Sequence, residues 1–329
     1  MTTYKGINGF AVQSVASDPS PLDEGQVWYN NATYAFKLAS VTTAGAFASG
    51  GNLNTTRAEL GGSTAGTQTA ALAFGGDVPP TTGATESYNG TSWTNSPNSL
   101  NTARRQVGGA GTQTAALAFG AFPTSTATEL WNGTSWTSNP TGLNTARGIL
   151  AGCGIQTAAL AFGGLVNPPI SAATESWNGS TWTSVNSMNT GRYGPGGLGT
   201  QSSALAFGGN PGPSMTDATE LWNGTSWTNN PTGLNTGRQV LSGAGIQTAG
   251  LAFGGQLIPP TGLTNTELWN GSTWTNNPTG LGTARKSMAS SGTQTSALTF
   301  GGNTGTANVA NTEEWTGPGS PVTQTITTS

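Results

Sequence analysis

The sequence predicts an all-β fold, a six-bladed β-propeller of four-stranded antiparallel blades. Three observations predict it. Three sequence marks return in fixed order six times, at intervals of 43–47 residues. That period suits one four-stranded blade. Inside each period the apolar runs are short and are punctuated by Gly, Asn and Pro, as strands and turns are. No stretch shows helical periodicity.

The first mark is an arginine following Asn-Thr or Gly-Thr, at Arg57, Arg104, Arg147, Arg192, Arg238 and Arg285. The second is Leu-(Ala/Thr)-Phe-Gly, starting at Leu72, Leu117, Leu160, Leu205, Leu251 and Leu298. The third is Thr-Glu, carrying Glu86, Glu129, Glu175, Glu220, Glu267 and Glu313.

Each element of a blade follows in order. After the arginine comes a run of Gly, Ala and other small residues, such as RGILAGCG at 147–154. It has the least bulk, so it belongs nearest the axis. A Gln-Thr turn leads to AALAFGG, the second strand. A loop of variable length leads to T-E-L-W, the third. Asn-Gly then reverses the chain, as a type I′ hairpin turn does, and S-W-T begins the outermost strand.

Flanking regions extend this plan. Residues 1–25 are expected to form an extended attachment arm, and 26–43 a hairpin and linker built on WYNNATYAFKL. The propeller is expected over 44–316, with a tail at 317–329. Repeat six lacks the NG-x-x-W hairpin. GAFASGGNLNTTR at 45–57 resembles STWTSVNSMNTGR at 180–192, and both place an aromatic ten residues before the arginine. Phe47 therefore stands in for Trp182, and 44–49 is predicted to close the ring. Closure matters because an open propeller leaves unpaired sheet edges.

Spacing locates the variable parts. The distance from the F-G-G segment to the repeat glutamate ranges from 8 to 12 residues. Strands alternate in direction, so these loops share a face with the connections between blades. Variable loops on a rigid scaffold are where recognition concentrates. The candidate recognition face is 77–84, 122–127, 165–173, 210–218, 256–265 and 303–311. Its marker residues are Asp77, Pro79, Phe122, Asn167, Asn210, Asp217, Gln256 and Asn303.

Composition narrows the function. Only 7% of residues are charged and the net charge is −3, so nucleic acid is not expected as a partner. No apolar run reaches membrane-spanning length, and no membrane insertion is expected. The opening MTTYKGINGF lacks the apolar core of a signal peptide, which makes release by lysis the expected route. Histidine is absent, removing the commonest general base and metal ligand. No catalytic residue, metal site or cofactor is expected. Cys153 occupies a position held by Ala110, Leu198, Ala244 or Ser291 in other repeats, as a packed thiol would.

Of ten basic and thirteen acidic side chains, twelve are the repeat arginines and glutamates. They read most simply as one structural Arg–Glu pair per blade, because a buried charge needs a partner. Two other readings stand beside it: a ring of arginines binding an anion at the axis, and six lectin-like sites in which Arg, Glu and an aromatic contact a sugar. Trp131, Trp136 and their equivalents read as packing between blades, with sugar stacking as the alternative. The Asn-Gly-Ser/Thr triplets at Asn89, Asn132, Asn178, Asn223 and Asn270 read as turns rather than glycan acceptors.

The Arg, F-G-G, aromatic and Trp marks over about 57–315 resemble kelch-type propellers. The start, MTTYKGINGF...SDPSPLDEGQVWYNNATYAFKL, followed by NLNTTR...GTQTAALAFGG, resembles kelch-like structural proteins of tailed, notably marine, bacteriophages. That resemblance implies a non-enzymatic virion protein, a tail, fibre or surface appendage module. It would be present in several copies and contact other virion proteins through its arm. Its role would be host-surface contact or particle decoration, its ligand a surface glycan or receptor. A multivalent carbohydrate-binding lectin is the alternative, and a glycan hydrolase the third reading.

Overall fold

The computed structural model of the 329-residue chain describes residues 12–20, 26–41, 44–166, 168–257, 261–319 and 321–326. The chain divides into two compact units, 46–316 and a second built from 1–45 with 317–329. All regular structure among the described residues is β.

The larger unit holds six four-stranded antiparallel sheets. The third is representative: Ala151–Ile155, Ala158–Phe162, Thr174–Trp177 and Trp182–Val185, paired in that order. The small-residue strands of successive sheets are neighbours around a circle, the last beside the first. They therefore line the axis, where space is least. At Gly61, paired with Phe74, an added Cβ would lie 2.3 Å from the phenylalanine ring. The bulk of the second strand thus dictates glycine in the first.

The ring closes as the sequence predicts. Ala46–Ser49 pairs with Thr312–Thr316 as the outer strand of the sixth blade, with Phe47 opposite Trp315. The Phe47 ring lies 4.9 Å from Trp315 and 5.6 Å from Phe253 of the fifth blade. One aromatic thus does what a tryptophan does in the other five blades.

The smaller unit is one sheet. Gln13–Val15 runs parallel to Val27–Asn30, which forms a hairpin with Ala35–Val41, and that strand pairs with Pro321–Thr325. Two expectations change here. Residues 13–15 of the expected arm are a paired strand; the rest of 1–25, apart from 12–20, lies outside the described residues. Residues 321–325 of the expected tail are also a strand, the Thr-rich run VTQT satisfying its backbone groups on Ala35–Val41. Trp28 is fully buried, its indole donating to Asp18 at 3.1 Å.

The outer hairpin differs from the expected type I′ turn. Trp131 pairs directly with Trp136, leaving a four-residue loop, Asn132–Ser135. Positive φ falls on Gly133 alone, at 93°, whereas type I′ needs it at both central residues. The Asn132 side chain closes the loop, its Oδ1 accepting the N–H groups of Thr134 at 2.9 Å and Ser135 at 2.8 Å. Asparagine is selected here for its side-chain oxygen.

Candidate functional site

The repeat charges are consumed inside the blades. Every repeat arginine pairs with the glutamate of its own blade: Arg57–Glu86 at 3.0 Å, Arg104–Glu129 at 3.0 Å, Arg147–Glu175 at 3.1 Å, Arg285–Glu313 at 2.7 Å, and the closer pairs Arg192–Glu220 and Arg238–Glu267. All twelve residues are buried. Glu86 also accepts the backbone N–H of Asn54 at 2.7 Å and of Thr55 at 3.2 Å. The Asn54 amide donates to Glu86 and to the Trp93 carbonyl. The Asn-Thr-x-Arg motif therefore wraps one carboxylate and ties the outer strand to the inner connection. Burial lowers the pKa of Arg57 to about 10, against the opposing pull of Glu86.

The aromatic pairs are consumed between blades. Trp131, Trp177, Trp222, Trp269 and Trp315 are buried, as are Trp93, Trp136, Trp182, Trp227 and Trp274. The Trp136 ring lies 4.9 Å from Phe74 of the preceding blade, and its N–H donates to Thr85 of that blade at 2.8 Å. Gln156, from the Gln-Thr turn, donates to the Ala116 and Trp131 carbonyls of the preceding blade at 2.9 and 2.5 Å. Cys153 is fully buried, its thiol pKa pushed up to about 12 by that burial.

What remains for recognition is gathered at one end of the axis. Two positions after each repeat arginine stand Glu59, Gln106, Ile149, Gly194, Val240 and Ser287. All six have left-handed φ, between 49° and 61°. For β-branched Ile149 and Val240 this is a costly conformation. It persists because the six backbones form a closed ring of hydrogen bonds. Each N–H donates to the carbonyl of the equivalent residue in a neighbouring blade: Gln106 to Glu59 at 2.6 Å, Ile149 to Gln106 at 3.4 Å, Gly194 to Ile149 at 2.8 Å, Val240 to Gly194 at 2.8 Å, Ser287 to Val240 at 2.9 Å and Glu59 to Ser287 at 2.8 Å. Strain held by surrounding structure is a mark of functional positions.

This ring floors a polar cavity of about 280 Å³ on the face of the variable loops. Its wall includes Ala58, Tyr193, Gln239 and Lys286, which adjoin the ring, and Asp77, Gln256 and Asn303, the first loop residues after three of the F-G-G segments. In all six repeats the residue after the arginine and the first loop residue after F-G-G (F-G-A in the second repeat) are joined as an isolated bridge, Ala58 with Asp77, Arg105 with Phe122, Gly148 with Leu165, Tyr193 with Asn210, Gln239 with Gln256, and Lys286 with Asn303. Six charged residues of the propeller stand outside the repeat pairs: Glu59, Asp77, Arg105, Asp217, Lys286 and Glu314. Four of them, Glu59, Asp77, Arg105 and Lys286, meet at this mouth. Arg105 lies 3.4 Å from Glu59 and 3.5 Å from Asp77, with its guanidinium over the Phe122 ring at 5.0 Å. Lys286 donates to the Gln256 side-chain carbonyl. Burial raises the Glu59 pKa, with Gln106 and Arg105 acting against the rise. Burial also lowers that of Lys286, against Glu59.

The loop residues singled out from the sequence divide accordingly. Asp77, Gln256 and Asn303 line the mouth, and Phe122 and Asn210 stand at its bridges. Pro79 and Asp217 are exposed in their loops outside the cavity lining. Asn167 lies outside the described residues. Sequence reading passed over Arg105, Gln106, Gln239 and Lys286. Their signal is present: they occupy the one or two positions after the repeat arginine, where six repeats carry unrelated residues beside their most constant one.

Among the described residues no group of three or more His, Cys, Asp and Glu side chains could hold a metal ion. No protein family profile matches the chain, and no curated protein matches it. Solved structures do match, among them one titled "Structure of YjhT", 12% identical, with a TM-score of 0.64 over 83% of this chain and 99% of that one. At that identity the likeness establishes the fold, a β-propeller.

Proposed function

We propose that this propeller is a non-catalytic recognition module of a tailed-phage particle, held through its N-terminal region and contacting its target through the axial mouth. The observation that carries the recognition part is the gathering of four non-repeat charges at one mouth, on the variable-loop face of a scaffold whose other propeller charges are mostly paired. Placement in a virion rests on the resemblance of residues 1–38 and the repeats to kelch-like phage structural proteins. The buried arginines, glutamates and tryptophans favour scaffold over six separate sugar sites, since none presents a surface to a ligand. Two experiments test the proposal. Immunogold labelling of purified particles from the genome encoding this chain should decorate an external structure; particles without label would overturn the virion reading. Incubation of the intact chain with cell-surface polysaccharide should release no reducing ends; release would overturn the non-catalytic reading.

A further inference from the structure

The sheet of the smaller unit keeps one face uncovered. Of the eight large apolar side chains exposed among the described residues, five belong to this unit: Val12, Val27, Tyr34, Phe36 and Ile326. Strand register places four of them on one face. Tyr29 pairs with Phe36, Val27 with Leu38 and Ser14 with Tyr29. Val12 continues the first strand beside Val27. The Ile326 N–H donates to the Phe36 carbonyl at 2.9 Å, which sets Ile326 beside Phe36. Paired residues share a face, and alternate residues along a strand return to it. Val12, Val27, Phe36 and Ile326 are 41–48% exposed. Tyr29 and Leu38 between them are half-buried, and the Tyr29 and Phe36 rings lie 5.1 Å apart. The opposite face carries Trp28, Asn30 and Ala39, all buried.

Charge and shape choose the occupant. The only charged residue in the four strands is Lys37. It pairs with Trp28, on the other face, and donates to Thr325 at 2.7 Å. The uncovered face therefore has nothing to match a charged partner and nothing to repel an identical copy. A sheet with an apolar face must bury it against another layer. Two sheets pack face to face, about 10 Å apart and nearly aligned, when their twists correspond. A second copy supplies a sheet of the same size and twist by identity.

We infer that this face is a self-association surface, on which a second copy of the chain packs its own Val12, Val27, Tyr29, Phe36 and Ile326 across a two-fold axis. A patch that meets itself gives a closed, isologous pair. Four strands about 4.8 Å apart, each contributing about four residues of about 3.3 Å, present about 500 Å² of face over both copies. Standard interfaces bury about 1,200–2,000 Å², so the pair is weak and concentration-dependent. The inference does not rest on what the axial mouth binds.

The test is sedimentation equilibrium of the intact chain from roughly 1 μM to 1 mM, the range that spans weak interfaces. The average mass should climb from one chain toward two as concentration rises. Phe36→Glu sets like charges against each other across the interface and should raise the concentration of half-association by about tenfold or more. Val27→Glu, in the neighbouring row of the face, gives a second variant should the first fail to fold. Lys37→Ala, on the opposite face, should leave the association unchanged. Four results would overturn the inference. The first is a one-chain mass throughout the range, with another partner or another part of the chain covering the face. The second is a limiting mass above two chains. The third is unchanged association in a folded Phe36→Glu or Val27→Glu protein, and the fourth a shift as large with Lys37→Ala. Particle labelling by a chain that stays single removes this inference and leaves the virion reading; association of a chain missing from particles does the reverse.

Discussion

The indole N–H of Trp182 donates to Thr128 Oγ1 at 2.9 Å, across the boundary between the third blade and the second. The Trp182 ring also lies 5.0 Å from Phe119 of the second blade. The same relationship recurs for Trp136 with Thr85, Trp227 with Thr174, Trp274 with Thr219, and Trp93 with Thr312, which joins the first blade to the sixth. In a chain poor in large aliphatics, these contacts supply the inter-blade core. Trp182→Ala should cost about 3–5 kcal/mol, the range for truncating a buried aromatic. Urea denaturation followed by the fluorescence of the remaining tryptophans measures it; a cost below 1 kcal/mol would contradict the packing role.

The buried ion pairs make a second prediction. Arg147→Met strands Glu175 in the blade interior and should destabilise by about 3–5 kcal/mol. Arg147→Met with Glu175→Leu should recover most of that loss, because two apolar side chains leave no unpaired charge. A double variant as unstable as the single one would show that the network around the carboxylate, including the backbone donors of Asn144 and Thr145, matters more than the pair.

Among the described residues, the joint between the first and last blades carries a contact found at no other boundary. Tyr88 stands where most blades have tryptophan, and its hydroxyl donates to Glu314 at 2.5 Å. Burial, with the Glu314 carboxylate, raises its pKa to about 12. The folded state therefore holds this proton more tightly than the unfolded chain, whose tyrosines titrate near 10. The resulting stability is complete below about pH 10 and is lost as pH rises toward 12. Tyr88→Phe should lower stability by about 1.5–3 kcal/mol near neutral pH, as loss of a hydrogen bond to a charged group does. It should also flatten the alkaline decline. Denaturant titrations of both proteins across pH 9–12 check this, and parallel pH profiles would refute it.

The axial ring predicts an unusual glycine substitution. Val240 holds φ at 49°, a region that costs a non-glycine residue about 1–2 kcal/mol. Val240→Gly removes that strain together with an apolar side chain, so stability should change by less than about 1 kcal/mol in either direction. The reverse change in the same ring, Gly194→Val, places a Cβ 2.9 Å from Val240 Cγ1 and should destabilise by about 1–3 kcal/mol, as overpacking does. Thermal denaturation of the two variants distinguishes them, and equal losses would show that the ring stores no strain.

Much of the scaffold was legible in the chain because a repeat prints each structural demand six times. Thr-Glu, (Asn/Gly)-Thr-x-Arg and Phe-Gly-(Gly/Ala) recur wherever a carboxylate, its guanidinium and a phenylalanine over small axial residues recur. Phe47 could be assigned to the sixth blade because its distance to Arg57 matches that from Trp182 to Arg192. The hairpin was located correctly but typed wrongly. Asn-Gly fits both a two-residue turn and a four-residue loop, and only the Trp131–Trp136 register, with Asn132 accepting two backbone N–H groups, decides between them. The strand at Pro321–Thr325 escaped notice because a single short Thr-rich run carries no period.

The sequence by itself determined the blade, its number and its closure, since these follow from local strand patterns and regular spacing. The mouth was decided only by tertiary structure. Glu59, Asp77, Arg105, Gln239 and Lys286 belong to four different repeats and share no motif. They meet because six chain segments converge on one axis, where a ring of backbone hydrogen bonds fixes their positions. Convergence of this kind is set by three-dimensional closure, and a linear pattern has no means of recording it.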